Sequence, residues 1–210
     1  MDGHLLTPLV ELLVTASVGA VVLRHLRHGV IALSVQGLLL GALVAVVNRS
    51  PWGLASVVLV VIAKGVAVPW LLSRTVTQSQ AVEATEAVSR WVYPGILAVL
   101  VAVHVLDPAL SDGVGGAVAV LLPAGLAVTL LGLVAVATRS LLPGQMLGLA
   151  VTENGVYATG LALTHGLPLV LDLAIVLDLL LALMLLAWLT GRVHSGWGHI
   201  DAEQLDRLRG

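Results

Sequence analysis

The chain has 210 residues, of which 59% are hydrophobic and only 10% are charged, and its formal net charge is −2. Soluble domains carry about 25% charged residues, so this composition excludes an ordinary cytosolic enzyme and a disordered regulator. The small negative charge supplies no basic surface for nucleic acid, and the lack of cysteine excludes disulfides and thiolate-bound metals. We therefore expect an all-α protein that is embedded in a lipid bilayer.

Seven apolar segments approach the length of about 20 residues that a helix needs to cross a bilayer. In chain order they are Leu5–Leu23, Gly29–Val47, Leu54–Leu72, Trp91–Leu106, Gly116–Thr138, Leu141–Leu163 and Leu167–Leu189. The fourth is the shortest, and Trp91 and Tyr93 at its start suit a membrane interface. Met1–Leu6 lacks the Lys or Arg of a signal peptide, so we expect the first segment to be a retained helix.

The basic residues are distributed unevenly around these segments. A seven-segment topology places eight of them on one side: Arg24, Arg27, Arg74, Arg90, Arg139, Arg192, Arg207 and Arg209. The other side receives only Arg49, and Lys64 lies inside the third segment. Because Lys and Arg accumulate in cytoplasmic loops, we expect the N-terminus outside and the C-terminus in the cytoplasm. On that side lie two polar pieces, a loop at 73–90 and a tail at 190–210, either for docking partners or simply solvated.

Five charged residues fall within the predicted membrane segments: Glu11, Lys64, Glu153, Asp172 and Asp178. An unpaired charge at the centre of a membrane helix costs at least about 2.5–3.5 kcal/mol, and such residues usually mark ion or proton routes. A buried, hydrogen-bonded packing role is the alternative for each, and it weighs most for Glu11.

Three of these residues share one depth. Lys64 and Glu153 each lie one residue from the middle of their segment, and Asp178 is the middle residue of the seventh. The link between the sixth and seventh segments is short, so these two helices are antiparallel neighbours and Glu153 can approach Asp178. Two carboxylates in a low dielectric repel each other when both are ionised, so we expect the pair to hold or pass on a proton. Asp172 lies on a different face of the seventh helix.

Small and amide residues within the segments predict close helix packing. Gly37 and Gly41, and likewise Gly144 and Gly148, have the four-residue spacing that lets membrane helices approach closely. Gln36 and Asn154 are expected to join helices by hydrogen bonds rather than to carry ions.

Several motifs resemble hydrogenase-4 component E, a membrane subunit of formate hydrogenlyase-type and related group 4 nickel–iron hydrogenase complexes. They are Thr152-Glu-Asn-Gly155, the segment Leu169–Asp178 with its two aspartates, the tail from Gly198-His-Ile-Asp201 to Leu208-Arg-Gly210, and Lys64 followed by Val68-Pro69. The similarity covers nearly the whole chain. The family more usually has Glu where this chain has Asp172, a change that keeps the charge and shortens the side chain.

The last three segments are also similar to the three-helix K subunit of respiratory complex I and to its counterpart in multisubunit cation/proton antiporters. Asp178 fits the second of the two acidic positions there, and Glu153 fits the first with a displacement of about one helical turn. The resemblance thus implies a single membrane domain over 1–210. Four helices fall in 1–115, a K-subunit-like unit in 116–189 and a cytoplasmic tail in 190–210.

The resemblance implies a non-catalytic subunit of a redox-coupled complex in a prokaryotic cytoplasmic membrane. It assigns Glu153, Asp178, Asp172, Lys64 and Glu11 to a proton or cation path and expects no cofactor in this chain. Nickel–iron and iron–sulfur centres would belong to partner subunits. The expected partners are antiporter-like and quinone-site-like membrane subunits and a peripheral redox arm.

Three alternatives stay open at this point. The chain could be a purely structural subunit that joins the membrane arm to the peripheral arm. It could belong to a multisubunit cation/proton antiporter. It could also be a stand-alone secondary transporter, although such proteins often contain repeats and no convincing repeat is present.

Overall fold

The computed structural model describes residues 3–48, 51–78, 89–164, 172–180 and 182–184, and the regular structure of these residues is entirely helical. In chain order the helices are α1 (Gly3–Val22), α2 (Leu26–Val47), α3 (Gly53–Val60), a π-helical segment (Val61–Ala67), α4 (Val68–Gln78), α5 (Val92–Ser111), α6 (Ala117–Thr138) and α7 (Leu142–Thr164). Residues 172–180 and 182–184 are also helical. The all-α prediction is confirmed for this part of the chain.

Five stretches among the described residues are long and apolar enough to cross a membrane: Leu5–Val22, Leu26–Val47, Gly53–Thr77, Val92–Ser111 and Ala117–Thr138. They correspond to the first five predicted segments. Helix α7, with 23 residues, corresponds to the sixth and is long enough, but Glu153 and Asn154 make its middle more polar. The seventh segment is described only at 172–180 and 182–184.

The predicted loop at 73–90 is wrong over its first six residues, because α4 continues to Gln78. Thr75 and Val76 are buried there, while Ser73, Arg74 and Thr77 are exposed. Val76 of this amphipathic turn packs against Leu26 at the start of α2. This contact stabilises the helix beyond the end of the apolar segment. Residues 79–88 and the tail at 190–210 lie outside the described residues.

Arg139 joins the end of α6 to the end of α1. Its Nη2 donates hydrogen bonds to the carbonyl oxygens of Ala20 at 2.9 Å, Val21 at 3.2 Å and Leu23 at 3.0 Å. These belong to the last carbonyls of a helix, which have no partner within the helix itself. The guanidinium is buried, so the arginine predicted only as a topology signal also serves as a cap.

The same end of the bundle carries the other arginines of the described residues. Two small hydrophobic clusters lie there, one of Leu26, Val76 and Leu141, and one that includes Val21, Val92 and Ala135. They bring together the chain segments that carry Arg24, Arg27, Arg74, Arg90 and Arg139. All five arginines therefore lie on the same side of any membrane that the bundle crosses.

Helices α6 and α7 are antiparallel and pack with their backbones close together. A Cβ atom at Gly132 would overlap the backbone nitrogen of Thr152, and one at Gly155 would overlap that of Thr129. The threonine hydroxyls are satisfied within their own helices, since Thr129 and Thr152 donate to the carbonyls four residues earlier at 2.8 and 3.0 Å. In lipid there is no hydrophobic driving force between helices, so their association depends on the close van der Waals packing that small residues allow.

The main core lies around α2 and α7 and takes side chains from most of the helices. Its fully buried members include Leu13, Leu40, Leu72, Val128, Leu161 and Leu183. The core therefore ties residue 183 of the last described helix to the rest of the bundle.

The end of the bundle opposite the arginines carries the connection between α5 and α6. Helix α5 starts at the arginine end and runs for 20 residues, about 30 Å at 1.5 Å per residue. Because the chain has no native cysteine, single-cysteine variants can test this arrangement without background. We expect Asp112→Cys to react with a membrane-impermeant maleimide in intact cells, and Ser140→Cys to react only in inverted membranes. Labelling of both variants from the same side would contradict the arrangement.

The close contact of α6 and α7 predicts a large effect from one methyl group. We expect Gly132→Ala to lower the free energy of unfolding by about 1–3 kcal/mol, because the backbone of α7 blocks the added Cβ. Gly19→Ala is the matched control, since a Cβ at this helical glycine has no atom within 4 Å and alanine favours helix. Unfolding of both variants by a denaturing detergent in mixed micelles measures the difference. Equal stability of the two variants would contradict the packing.

Candidate functional site: a buried lysine cluster

Lys64 lies in the middle of the π-helical segment Val61–Ala67, where backbone hydrogen bonds span five residues rather than the four of an α-helix. Pro69 follows closely and has no backbone N–H to donate to the carbonyl four residues earlier. The N–H of Val68 donates instead to the carbonyl of Ala63, five residues back. Single π turns within α-helices are rare and occur frequently at functional sites. The bulge turns Lys64 toward the inside of the bundle, where its side chain is 1% exposed.

Glycines of α2 allow the π segment to approach closely. A Cβ atom at Gly37 would overlap the backbone of Lys64 and Gly65, and one at Gly41 would overlap the side chain of Val61. This confirms the prediction of close helix contact at the Gly37–Gly41 motif. The contact holds the backbone of Lys64 against α2, so the side chain extends toward α7.

On α7, Lys64 meets two consecutive polar residues. Its Nζ forms an ion pair and hydrogen bond with Oε2 of Glu153, and it donates to Oδ1 of Asn154 at 3.2 Å. Nζ also lies 4.9 Å from the centre of the Tyr157 ring, within the range of a cation–π interaction. The Glu153 side chain is 16% exposed, so most of the ion pair is enclosed by the other helices.

A chain of neutral hydrogen bonds runs from this pair to α1. Nδ2 of Asn154 donates to Oε1 of Gln36 at 3.0 Å, and Nε2 of Gln36 donates to Oγ of Ser17 at 2.7 Å. The Ser17 hydroxyl in turn donates to the carbonyl of Leu13 at 2.7 Å. The side chains of Asn154, Gln36 and Ser17, which we call the amide chain, are all buried. They join α7, α2 and α1 as the sequence predicted for Gln36 and Asn154.

A second carboxylate enters the site from the last described helix. The hydroxyl of Tyr157 donates to Oδ1 of Asp172 at 2.8 Å, and Asp172 is 0% exposed. Tyr157 connects Asp172 to Lys64, because its ring lies 4.9 Å from Nζ of Lys64. Lys64, Glu153, Tyr157 and Asp172 therefore form one group, which we call the lysine cluster.

The structure brings together three of the five predicted site residues: Lys64, Glu153 and Asp172. Asp178 is exposed instead, because the buried face of its helix consists of Asp172, Val176, Leu179 and Leu183. Rotation about the helix axis selects Asp172 as the acid that faces α7.

Glu11 also lies apart from the lysine cluster. It is exposed on α1 and lines a groove of about 460 Å³ together with His104 and Asp107 of α5. Its assignment to a proton path stays a prediction.

Sequence reasoning missed Tyr157 and Ser17. Tyr157 follows Glu153 by four residues, which places both side chains on the same face of a helix, and that spacing could have indicated it. Ser17 has no comparable signal, because serines commonly occur in membrane helices and this one is singled out only by the bond from Gln36.

No group of three or more His, Asp or Glu side chains within the described part of the chain could hold a metal ion. The arrangement is one of proton donors and acceptors. Lysine, two carboxylates and a phenol lie in an apolar bundle, where they can bind, hold or exchange a proton.

The chain resembles an uncharacterised protein of Mycobacterium tuberculosis, Rv0085. The two are 34% identical over 206 residues, which cover 94% of this chain and 92% of that protein. The chain belongs to the same family as Rv0085. Neither a family model nor a solved structure matches the chain.

The ion pair predicts strong coupling between its two members. We expect Lys64→Met to reduce the free energy of unfolding by up to about 3–5 kcal/mol, because Glu153 loses its cation and must be protonated to stay inside the bundle. Adding Glu153→Leu to that variant should restore much of the loss, because the carboxyl group without a partner is then removed. Unfolding of the two single variants and the double variant in mixed micelles gives the coupling energy. Additive losses would contradict an energetically significant pair.

Proposed function

We propose that this chain is a membrane subunit of a hydrogenase-4-like or complex I-like assembly, and that the lysine cluster belongs to its path for protons or cations. In this proposal the redox centres belong to partner subunits, and the chain itself carries no catalytic centre. It crosses a prokaryotic cytoplasmic membrane seven times, with the N-terminus outside. The type of complex is proposed from the sequence resemblance to hydrogenase-4 component E. The role in proton or cation transfer is proposed from the buried cluster.

The observation that carries the proposal is that buried Lys64 and Asp172 lie together with the largely enclosed Glu153 in an apolar helical bundle. Removing an ion from water costs several kcal/mol even after relaxation, and hydrophobic residues of similar volume usually stabilise a core as well or better. Ionisable side chains at this depth in a membrane protein are typical of proton and ion pathways. The position of Lys64 on a π segment adds a second feature that is typical of functional sites.

The two exposed acids favour a subunit over a stand-alone protein. Glu11 and Asp178 lie on the outside of membrane-type helices, where a charged side chain that faces hydrocarbon is costly. Neighbouring membrane subunits would cover these positions and supply polar partners. The one-sided distribution of Arg24, Arg139 and the other basic residues supports the proposed orientation.

A purely structural subunit is the second candidate, and the amide chain favours it. Its hydrogen bonds run without interruption from Asn154 to the backbone of α1. A fully satisfied polar network stabilises and specifies one arrangement of helices. Both proposed functions predict that the cluster contributes to assembly of the complex. The experiment therefore has to measure proton transport and assembly separately.

We expect Glu153→Gln to remove most proton transport while leaving the complex assembled, because the amide keeps the size of the side chain and loses its ability to ionise. Inverted membrane vesicles from cells that carry the variant in place of the natural copy report hydrogen-driven proton uptake with a pH-sensitive dye. We expect uptake to fall about tenfold or more, while hydrogen oxidation with an artificial acceptor is retained.

Asp112→Asn is the matched control, since it makes the same change in the connection between α5 and α6 and should leave uptake unchanged. Mass spectrometry of the tagged full-length chain, purified in a mild detergent, identifies the subunits that assemble with it. Wild-type uptake by Glu153→Gln would contradict the proton path and favour the structural subunit. A complex without hydrogenase-like subunits would contradict the assignment to this kind of assembly.

A further inference from the structure

The lysine cluster contains unequal numbers of acidic and basic groups. Among the described residues it holds one cation, Lys64, and two carboxyl groups, Glu153 and Asp172. The fourth member, Tyr157, is neutral, and so are the described side chains that are hydrogen-bonded to the cluster directly or through the amide chain: Asn154, Gln36 and Ser17. If every ionisable group had its usual charge at neutral pH, the cluster would carry one uncompensated negative charge.

The carboxyl oxygens are also unequally satisfied. Oε2 of Glu153 is bonded to Lys64, and Oδ1 of Asp172 accepts a bond from Tyr157. The other oxygen of each group, Oε1 of Glu153 and Oδ2 of Asp172, is buried without a hydrogen-bond partner among the described residues. Burying a carboxylate oxygen without a partner is costly, whereas a protonated oxygen at either position removes the charge.

From these observations we infer that the lysine cluster binds one exchangeable proton, which Glu153 and Asp172 share. In one state Oδ2 of Asp172 carries the proton, and ionised Glu153 is paired with Lys64. In the other state Oε1 of Glu153 carries it, and ionised Asp172 is stabilised by the Tyr157 hydroxyl and by the charge of Lys64. One O–H bond breaks and one forms, and the cluster stays neutral in both states.

This inference assigns a specific part to Tyr157. Its ring lies beside the ammonium of Lys64, and its hydroxyl holds Asp172. It therefore acts as a positioning residue that connects the cation to the second carboxyl group. Asp172, rather than the exposed Asp178, is the acid that exchanges the proton with Glu153. The inference concerns the site of the proposed function, but proton binding can be measured in the chain without any transport.

Infrared spectroscopy of the purified full-length chain in lipid nanodiscs at neutral pH tests the shared proton. A protonated carboxyl group has a carbonyl stretch that is separate from those of carboxylates and amides and that shifts in heavy water. We expect this band to be lost in Asp172→Asn and also in Glu153→Gln, because either variant leaves one carboxylate balanced by Lys64. The band should roughly double in Lys64→Met, because two carboxyl groups then lack a cation.

Two further variants complete the experiment. Tyr157→Phe should keep the band and shift its frequency, because the carboxyl group loses a hydrogen bond. Asp178→Asn is the matched control in the same helix and should leave the cluster's band intact. A band that persists in both Asp172→Asn and Glu153→Gln would overturn the inference. So would an unchanged band in Lys64→Met, since that result means that both carboxyl groups already hold protons beside a neutral lysine.

The infrared and vesicle results are independent of each other. A shared-proton band together with wild-type uptake by Glu153→Gln would retain the proton site and reject its part in transport. Loss of uptake without a shared-proton band would retain the transport role and reject the sharing.

Discussion

The ion pair between Lys64 and Glu153 is the interaction on which the arrangement of this bundle depends. An ammonium group inside an apolar bundle needs an anion at contact distance, and the chain supplies it from a helix 89 residues further along. For the two to meet, α2 and α7 must both lie directly beside the π segment. Gly37 allows the first approach, and the amide chain of Asn154, Gln36 and Ser17 ties the same helices together around the pair.

Helix α7 makes two different kinds of contact, each on a different face. On one face, Gly148 and Gly155 bring its backbone against α6, with threonine hydroxyls bonded within their own helices. On another, Glu153, Asn154 and Tyr157 meet the polar groups of the interior. The first face relies on van der Waals packing, which is the main attraction between helices in lipid. The second relies on hydrogen bonds and charge, which are strong where water is absent. A helix that is rigidly held on one side can present ionisable groups at well-defined distances on the other.

The cluster combines properties that suit proton exchange more than stability. Its cation is surrounded by one directly bound carboxylate, one more distant carboxyl group and an aromatic ring, so either carboxyl group can hold the proton that keeps the cluster neutral. A purely structural ion pair would need only one anion. The neutral amide chain beside it has no such freedom, because each of its members already has a defined donor and acceptor. In the proposed function, proton exchange and structural support therefore belong to two adjacent parts of the same network.

The sequence by itself determined that the protein is helical and apolar, where its long apolar segments lie, and which charged residues fall within them. These follow from composition and from segment length, since lipid requires each backbone group to bond within its own helix. Only the tertiary structure decided which of those residues meet. The sequence places Asp178 at the depth of Glu153, yet Asp172 faces α7, because helix rotation is determined by the packing of residues such as Val176 and Leu183. The π turn at Lys64 and the hydrogen bond from Gln36 to Ser17 were likewise not predicted from the sequence. Both depend on contacts between helices rather than on the order of residues within a single helix.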